Sequence, residues 1–117
     1  MSFMEANKKT TKDYWEDVWG NENKYNRLDI KSSNFKTCIK NYHYRKVFRK
    51  INPVLSKLPK GAKILELGCA NSPWLPFLAT EYEFQVEGID YSKKGCKLCE
   101  KILQEENIKN FNIACSD

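Results

Sequence analysis

The chain has 117 residues, 41% apolar and 13% aromatic, with 5 Gly, 4 Pro, 5 Cys and a formal net charge of +5. This composition excludes collagen-like, disordered and disulfide-dense chains, and the length holds one small domain. No apolar run approaches the ~20 residues of a membrane-spanning helix, and the polar first residues lack the apolar core of a secretory signal. The odd cysteine count is therefore expected as reduced thiols in a cytoplasmic protein.

The charge is split. Residues 1–60 hold 14 Lys/Arg against 6 Asp/Glu, and residues 61–117 hold 6 against 9. The switch falls at Pro59-Lys60-Gly61, which is also a strong turn signal. In chain order, Thr11 to Gly20 reads as a short helix capped by Thr11, with Tyr14, Trp15, Val18 and Trp19 on one stripe. An Asn/Ser-rich loop follows. Asn34 to Ile51 reads as one helix capped by Asn34. Asn52-Pro53 is expected to break it, because proline disfavours helical geometry in the residue before it, and Pro53 then opens a third helix to Leu58.

After Gly61 the rhythm changes. Lys63 to Leu67 reads as a strand, Pro73 to Tyr82 as a helix, and Phe84 to Ile89 as a second strand. Ser92 caps a long helix to Asn107, and Phe111 to Cys115 is a third strand. Strands alternating with helices across short connections predict an α/β fold with a parallel sheet.

The sharpest segment is Glu66-Leu67-Gly68-Cys69-Ala70-Asn71-Ser72, a strand end followed by a loop of small residues and a helix start. Ligands of open α/β sheets sit at such carboxyl ends. Gly68 and Ala70 let a ligand approach the main chain. Dinucleotides and S-adenosylmethionine both use this layout. The dinucleotide fingerprint needs Gly at 68, 70 and 73, and the chain has Ala70 and Pro73. A carboxylate at Glu66 repels a pyrophosphate and suits a ligand bearing an ammonium and a sulfonium. Asp90, 22 residues after Gly68 at the end of the second strand, is placed to accept from ribose hydroxyls. Tyr91 is placed to lie against adenine, and Asp117, ending the third strand, to accept from the adenine amine.

These residues resemble the N-terminal half of the class I S-adenosylmethionine-dependent methyltransferases. Glu66 to Ser72 resembles that family's first motif, Asp90 its ribose-binding acid and Asp117 its adenine-contacting acid. The resemblance implies a partial Rossmann-like domain over residues 61–117, preceded by a helical lid and basic segment over residues 1–60. It implies S-adenosylmethionine as cofactor, held by Glu66, Gly68, Cys69, Ala70, Asp90, Tyr91 and Asp117, with no catalytic residue assigned. Tyr14 and Trp15 resemble the helix and lid that many members fold over the cofactor. Ala70 and Ser72 depart from the family's glycines and imply a more restricted loop.

The family's sheet has seven strands and this chain supplies three. The chain is therefore expected to work with a second polypeptide or by self-association. The rival is a non-catalytic cofactor-binding subunit or a truncated fragment needing a partner chain. Other features take plainer readings. Cys96 and Cys99 form a CxxC on a helix, with no second pair, and are expected as buried helix cysteines rather than a metal site. Lys36 to Lys60 holds 8 Lys/Arg and no acid. Its favoured reading is a solvated helix face, with Lys40, Arg45, Lys46, Arg49 and Lys50 in water, ahead of a nucleic-acid face.

Overall fold

The computed structural model describes residues 11–21 and 27–116. Its elements are α1 (Lys12–Asn21), α2 (Phe35–Lys40), α3 (Tyr42–Leu55), β1 (Lys63–Leu67), α4 (Trp74–Glu81), β2 (Gln85–Asp90), α5 (Lys93–Glu105) and β3 (Phe111–Cys115). The three strands form one parallel sheet in the order β1-β2-β3, with Ile64 opposite Val86 and Gly88 opposite Ile113. The α/β class and the parallel pairing thus follow the alternation in the sequence. Among the described residues no helix is long and apolar enough to cross a membrane.

The expected helix starts are present as hydrogen bonds. Thr11 Oγ1 accepts from Tyr14 N–H at 3.3 Å, Asn34 Oδ1 from Thr37 N–H at 3.2 Å, and Ser92 Oγ from Gly95 N–H at 3.0 Å. The break expected at Pro53 is a correction. The helical segment breaks at Asn41, and α3 then runs through Pro53 to Leu55. Asn41 is buried, and its side-chain amide donates to the carbonyls of Asp29 and Thr37 at 3.3 and 3.1 Å. A long-range contact to the preceding loop thus turns the chain there. Pro53 falls in the last turn of α3, where the lost bond is one of few remaining. Leu55 packs on the core and the Tyr82 hydroxyl donates to Asn52 Oδ1, which holds that turn closed.

One core joins both halves of the chain. Leu28 and Ile30 are buried with Cys69, Leu75, Phe77, Leu78, Phe84, Val86, Cys99 and Leu103, and Tyr44, Phe48 and Leu55 of α3 pack against them. An aromatic run ties α3 to α4: Tyr44 meets Trp74 edge-on at 5.7 Å between ring centroids, and Phe48 meets Phe77 at 5.6 Å. Such edge-to-face pairs add ~0.5–1.5 kcal/mol beyond their burial. Arg45 departs from the solvated basic face. It is half-buried and donates to the Ser32 carbonyl at 3.3 Å and to Cys38 Sγ at 2.9 Å, while Lys46, Arg49 and Lys50 are exposed.

The sheet is covered on one face. Val86, Gly88 and Asp90 turn to the helices and are buried. On β1, Leu65 and Leu67 turn the other way and are 52% and 75% exposed. That face, and the outer edge of β1, carry no further layer among the described residues.

Gly88 is set by the close approach of the loop after β1. A Cβ there would meet Cys69 Sγ at 2.7 Å and Ile113 Cδ1 at 3.0 Å. Neither is free to move, since Cys69 is fully enclosed and Ile113 packs on the core. Gly88→Ala is therefore expected to lower unfolding stability by about 1–3 kcal/mol through overpacking. A urea unfolding midpoint equal to that of the parent chain contradicts this packing.

Candidate ligand site at the carboxyl edge of the sheet

β1 ends at Leu67 and the chain turns sharply through Gly68. The Gly68 N–H donates to the Ile89 carbonyl at 2.7 Å, and the Ser72 N–H returns to the Cys69 carbonyl at 2.7 Å. Gly68 has φ 73°, the left-handed region that favours glycine, and a Cβ there would meet nothing within 4 Å. The glycine is thus required by the backbone, and the space above it is open. Ala70 and Ser72 have no such requirement, because neither takes a positive φ. The two departures from a three-glycine loop therefore fall where a side chain costs nothing.

Asp90 anchors this loop. The residue is 6% exposed; Oδ2 accepts from Ala70 N–H at 3.2 Å and Oδ1 from Ser92 N–H at 2.9 Å. A carboxylate has about four lone-pair sites, so two backbone donors leave capacity for a further donor.

Glu66 lies two residues before Gly68, on the helix-facing side of β1. Burial pushes its carboxyl pKa up, against a hydrogen bond from the Ser72 hydroxyl that favours the charged form. Its Oε1 is enclosed and has no hydrogen-bond partner among the described residues. A buried carboxylate oxygen without a donor is costly, and a cationic ligand group at this point would relieve that cost.

The remaining sequence-predicted residues fall into three groups. Cys69 is fully buried, with its side chain beside Gly88, so only its main chain faces the loop. The Cys99 thiol hydrogen-bonds to it and holds it below the ordinary thiol range, while the same contact and burial push Cys99 up. Cys96 of the CxxC is buried too, and desolvation raises it to about 12. Tyr91 is half-buried and its hydroxyl donates to the Thr11 carbonyl at 3.4 Å. Asp117 lies outside the described residues.

One residue enters the site without having been singled out for it. α1 was read as a lid through Tyr14 and Trp15, yet Trp19 is the ring that reaches the loop. A Cβ on Gly95 would meet Trp19 Cδ1 at 3.0 Å and Ala70 Cβ at 3.3 Å. The signal was the four-residue spacing from Trp15, whose ring stacks on Trp19 at 5.7 Å.

Comparison with known proteins bears on the fold. No family model matches the chain. Two curated relatives match: EEF1A lysine methyltransferase 2 of Danio rerio, 40% identical over 60 residues, and of Mus musculus, 34% identical over 61. These matches take in about half of this chain, which spans 26% and 25% of the relatives' own lengths. Among solved structures, geranyl diphosphate C-methyltransferase from Streptomyces coelicolor, in complex with S-adenosyl-L-homocysteine, superposes with a TM-score of 0.54 at 14% identity. The match covers 91% of this chain and 46% of that one. A protein from Galdieria sulphuraria, provisionally titled a sarcosine dimethylglycine methyltransferase, superposes with a TM-score of 0.58 at 13% identity, over 91% of this chain and 41% of that one. The chain thus shares part of its fold with these two structures.

The raised pKa of Glu66 makes a pH-dependent prediction. The folded chain holds this proton more tightly than the unfolded chain. The stabilisation is therefore complete below the ordinary carboxyl range and is lost as pH rises through the raised value. At neutral pH the ligand-free protein carries the cost of a buried charge that Glu66→Gln removes. The variant is expected to be more stable than the parent at neutral pH, with the gap closing as pH falls through the carboxyl range. Urea midpoints that differ equally at both pH values, or not at all, contradict the assignment.

Proposed function

We propose that this chain binds S-adenosylmethionine at the carboxyl edge of its sheet and is the cofactor-binding half of a methyltransferase. The observation that carries the reading is the enclosed, partnerless Oε1 of Glu66 beside an open glycine turn. Glu66 accepts from the ammonium of the cofactor's amino-acid end. The small side chains at Gly68 and Ala70 let it approach the main chain, to which Cys69 contributes its backbone. Asp90 offers its spare lone pairs to the ribose hydroxyls, Tyr91 a ring to the adenine, and Asp117 an acceptor to the adenine amine. When bound, the cofactor supplies a methyl group activated by a sulfonium for in-line transfer to a nucleophile. The chain's own share is binding and orientation, which lower the entropic cost of that transfer. The curated matches make a protein lysine the first acceptor to test.

Calorimetric titration with S-adenosylhomocysteine is the test. The parent chain is expected to bind. Asp90→Ala is expected to bind at least ~10-fold more weakly, since a hydrogen bond to a charged group contributes ~1.5–3 kcal/mol. No binding by the parent overturns the reading, and equal affinity for the variant overturns the ribose role.

The reading extends to a partner. Among the described residues β1 pairs on one side only, and Leu65 and Leu67 are exposed on the uncovered face. Unpaired edges and apolar sheet faces favour association. The chain is taken to pair with a second polypeptide or with itself, and to release no S-adenosylhomocysteine from the cofactor on its own. Light scattering should then show a mass above that of one chain, rising with concentration. A monomer at all concentrations that methylates an acceptor unaided contradicts this.

A further inference from the structure

α2 and α3 carry one outer face between them. Asn41 separates the two helices, yet its N–H donates to the Thr37 carbonyl at 3.0 Å and the Arg45 N–H donates to the Asn41 carbonyl at 2.9 Å, so the helical rotation runs on through the break. Tyr44, Phe48 and Leu55 turn inward to the core. Phe35, Ile39 and Tyr42, spaced four and three residues apart, turn outward and are 77%, 61% and 60% exposed. Side chains at such spacings stand on one face of a helix. Lys46 continues that face, with its Nζ 4.8 Å from the centre of the Tyr42 ring. Arg49 and Lys50 follow one turn later and Lys36 follows Phe35, and all three are exposed. Among the described residues none of these four cations forms an ion pair, in contrast to Lys31 with Glu81 and Lys60 with Glu83. No Asp or Glu stands between Asp29 and Glu66 in the chain. The face is a ridge of three bare apolar side chains, flanked and continued by uncompensated positive charge.

We propose that this ridge docks on an anionic lipid surface, with Phe35, Ile39 and Tyr42 sunk to the level of the headgroups and Lys36, Lys46, Arg49 and Lys50 held against their negative charge. A clustered, exposed apolar patch marks an interaction site, and a helix with aromatic and aliphatic side chains on one stripe and Lys/Arg alongside is suited to lie in a membrane interface. The cations run from Lys36 to Lys50, about 21 Å of helix. An extended, deformable anionic surface meets all of them at once, whereas a single phosphate or carboxylate meets one or two. A single-stranded nucleic acid offers the charge but binds through open ring faces. Here Ile39 has no ring, and Lys46 occupies one face of Tyr42. A second copy of the chain would set the same uncompensated positive charge against itself. The attachment is peripheral, since among the described residues no helix is long and apolar enough to cross a membrane. It uses none of the residues assigned to the cofactor and stands independently of that reading.

Co-sedimentation of the full chain with vesicles is the test, one set made of phosphatidylcholine alone and one of phosphatidylcholine and phosphatidylserine in equal parts. The parent chain is expected to pellet with the anionic vesicles and to stay in solution with the neutral ones. Each Lys or Arg near an anionic leaflet contributes roughly 5-fold in affinity. The double variant Arg49→Gln with Lys50→Gln is therefore expected to bind roughly 10-fold more weakly or worse, and to lose less than the parent when salt is raised. The double variant Phe35→Ser with Ile39→Ser is expected to bind roughly 10-fold more weakly while keeping the parent's salt dependence. All four of these side chains are exposed, so the urea midpoint of each variant should match the parent's. Pelleting with neither set of vesicles, or equally with both, overturns the proposal. So does a loss confined to the basic variant, which reduces the ridge to diffuse charge attraction. Tighter binding to a single-stranded RNA oligonucleotide than to the anionic vesicles assigns the face to nucleic acid instead. A light-scattering mass that falls in the apolar variant while its vesicle binding holds assigns the face to self-association.

Discussion

Asp90 is a buried acid that accepts one backbone N–H from each side of the sheet end: Ala70 from the loop after β1 and Ser92 from the start of α5. A buried charge without such donors is expensive, and charge-assisted bonds to backbone N–H groups are among the stronger ones available to a protein. The two bonds therefore fix two chain segments against one point. The loop Gly68 to Ser72 takes its position from β2, and α5 begins where β2 ends. Everything else at that edge is arranged around the pair: Ser92 turns its hydroxyl to Gly95, Cys69 folds under Gly88, and Trp19 rests on the small residues left between.

This dependence explains the tolerance of the loop. A loop held only by its own conformation needs glycine wherever the main chain turns. Here one glycine, Gly68, makes the left-handed turn, and Asp90 holds the rest. Ala70 donates its N–H as well as a glycine does, and Ser72 adds a hydroxyl for Glu66 and a cap for Trp74 N–H at 3.1 Å.

The strands and the caps were legible because their causes are local. β1 and β3 have the bounds their apolar runs predict, and Asn34 and Ser92 cap the helices that follow them. The Asn41 break was not legible, because its cause is a carbonyl twelve residues upstream, at Asp29. Arg45 misled for the same reason: a basic side chain in a basic run is drawn inward by Ser32 and Cys38. In the site, Glu66 and Asp90 stood out from spacing and charge alone. The bare face of Leu65 and Leu67 was foreshadowed by the count of strands, while the enclosure of the Cys69 side chain was not.

The strand order bears on how the chain reaches this state. Each strand pairs with its neighbour in sequence, Lys63 with Gln85 and Val86 with Phe111, so each pairing closes over one crossover helix. Such parallel pairings are non-local, so their closure entropy is offset only when strand, helix and strand dock together. Asp90 arrives with β2, before α5 and β3 have been synthesised. The glycine loop takes its shape once β1 and β2 pair, since the Ala70 N–H then has its acceptor. Leu65 and Leu67 take no part in that step, because they face away from the helices.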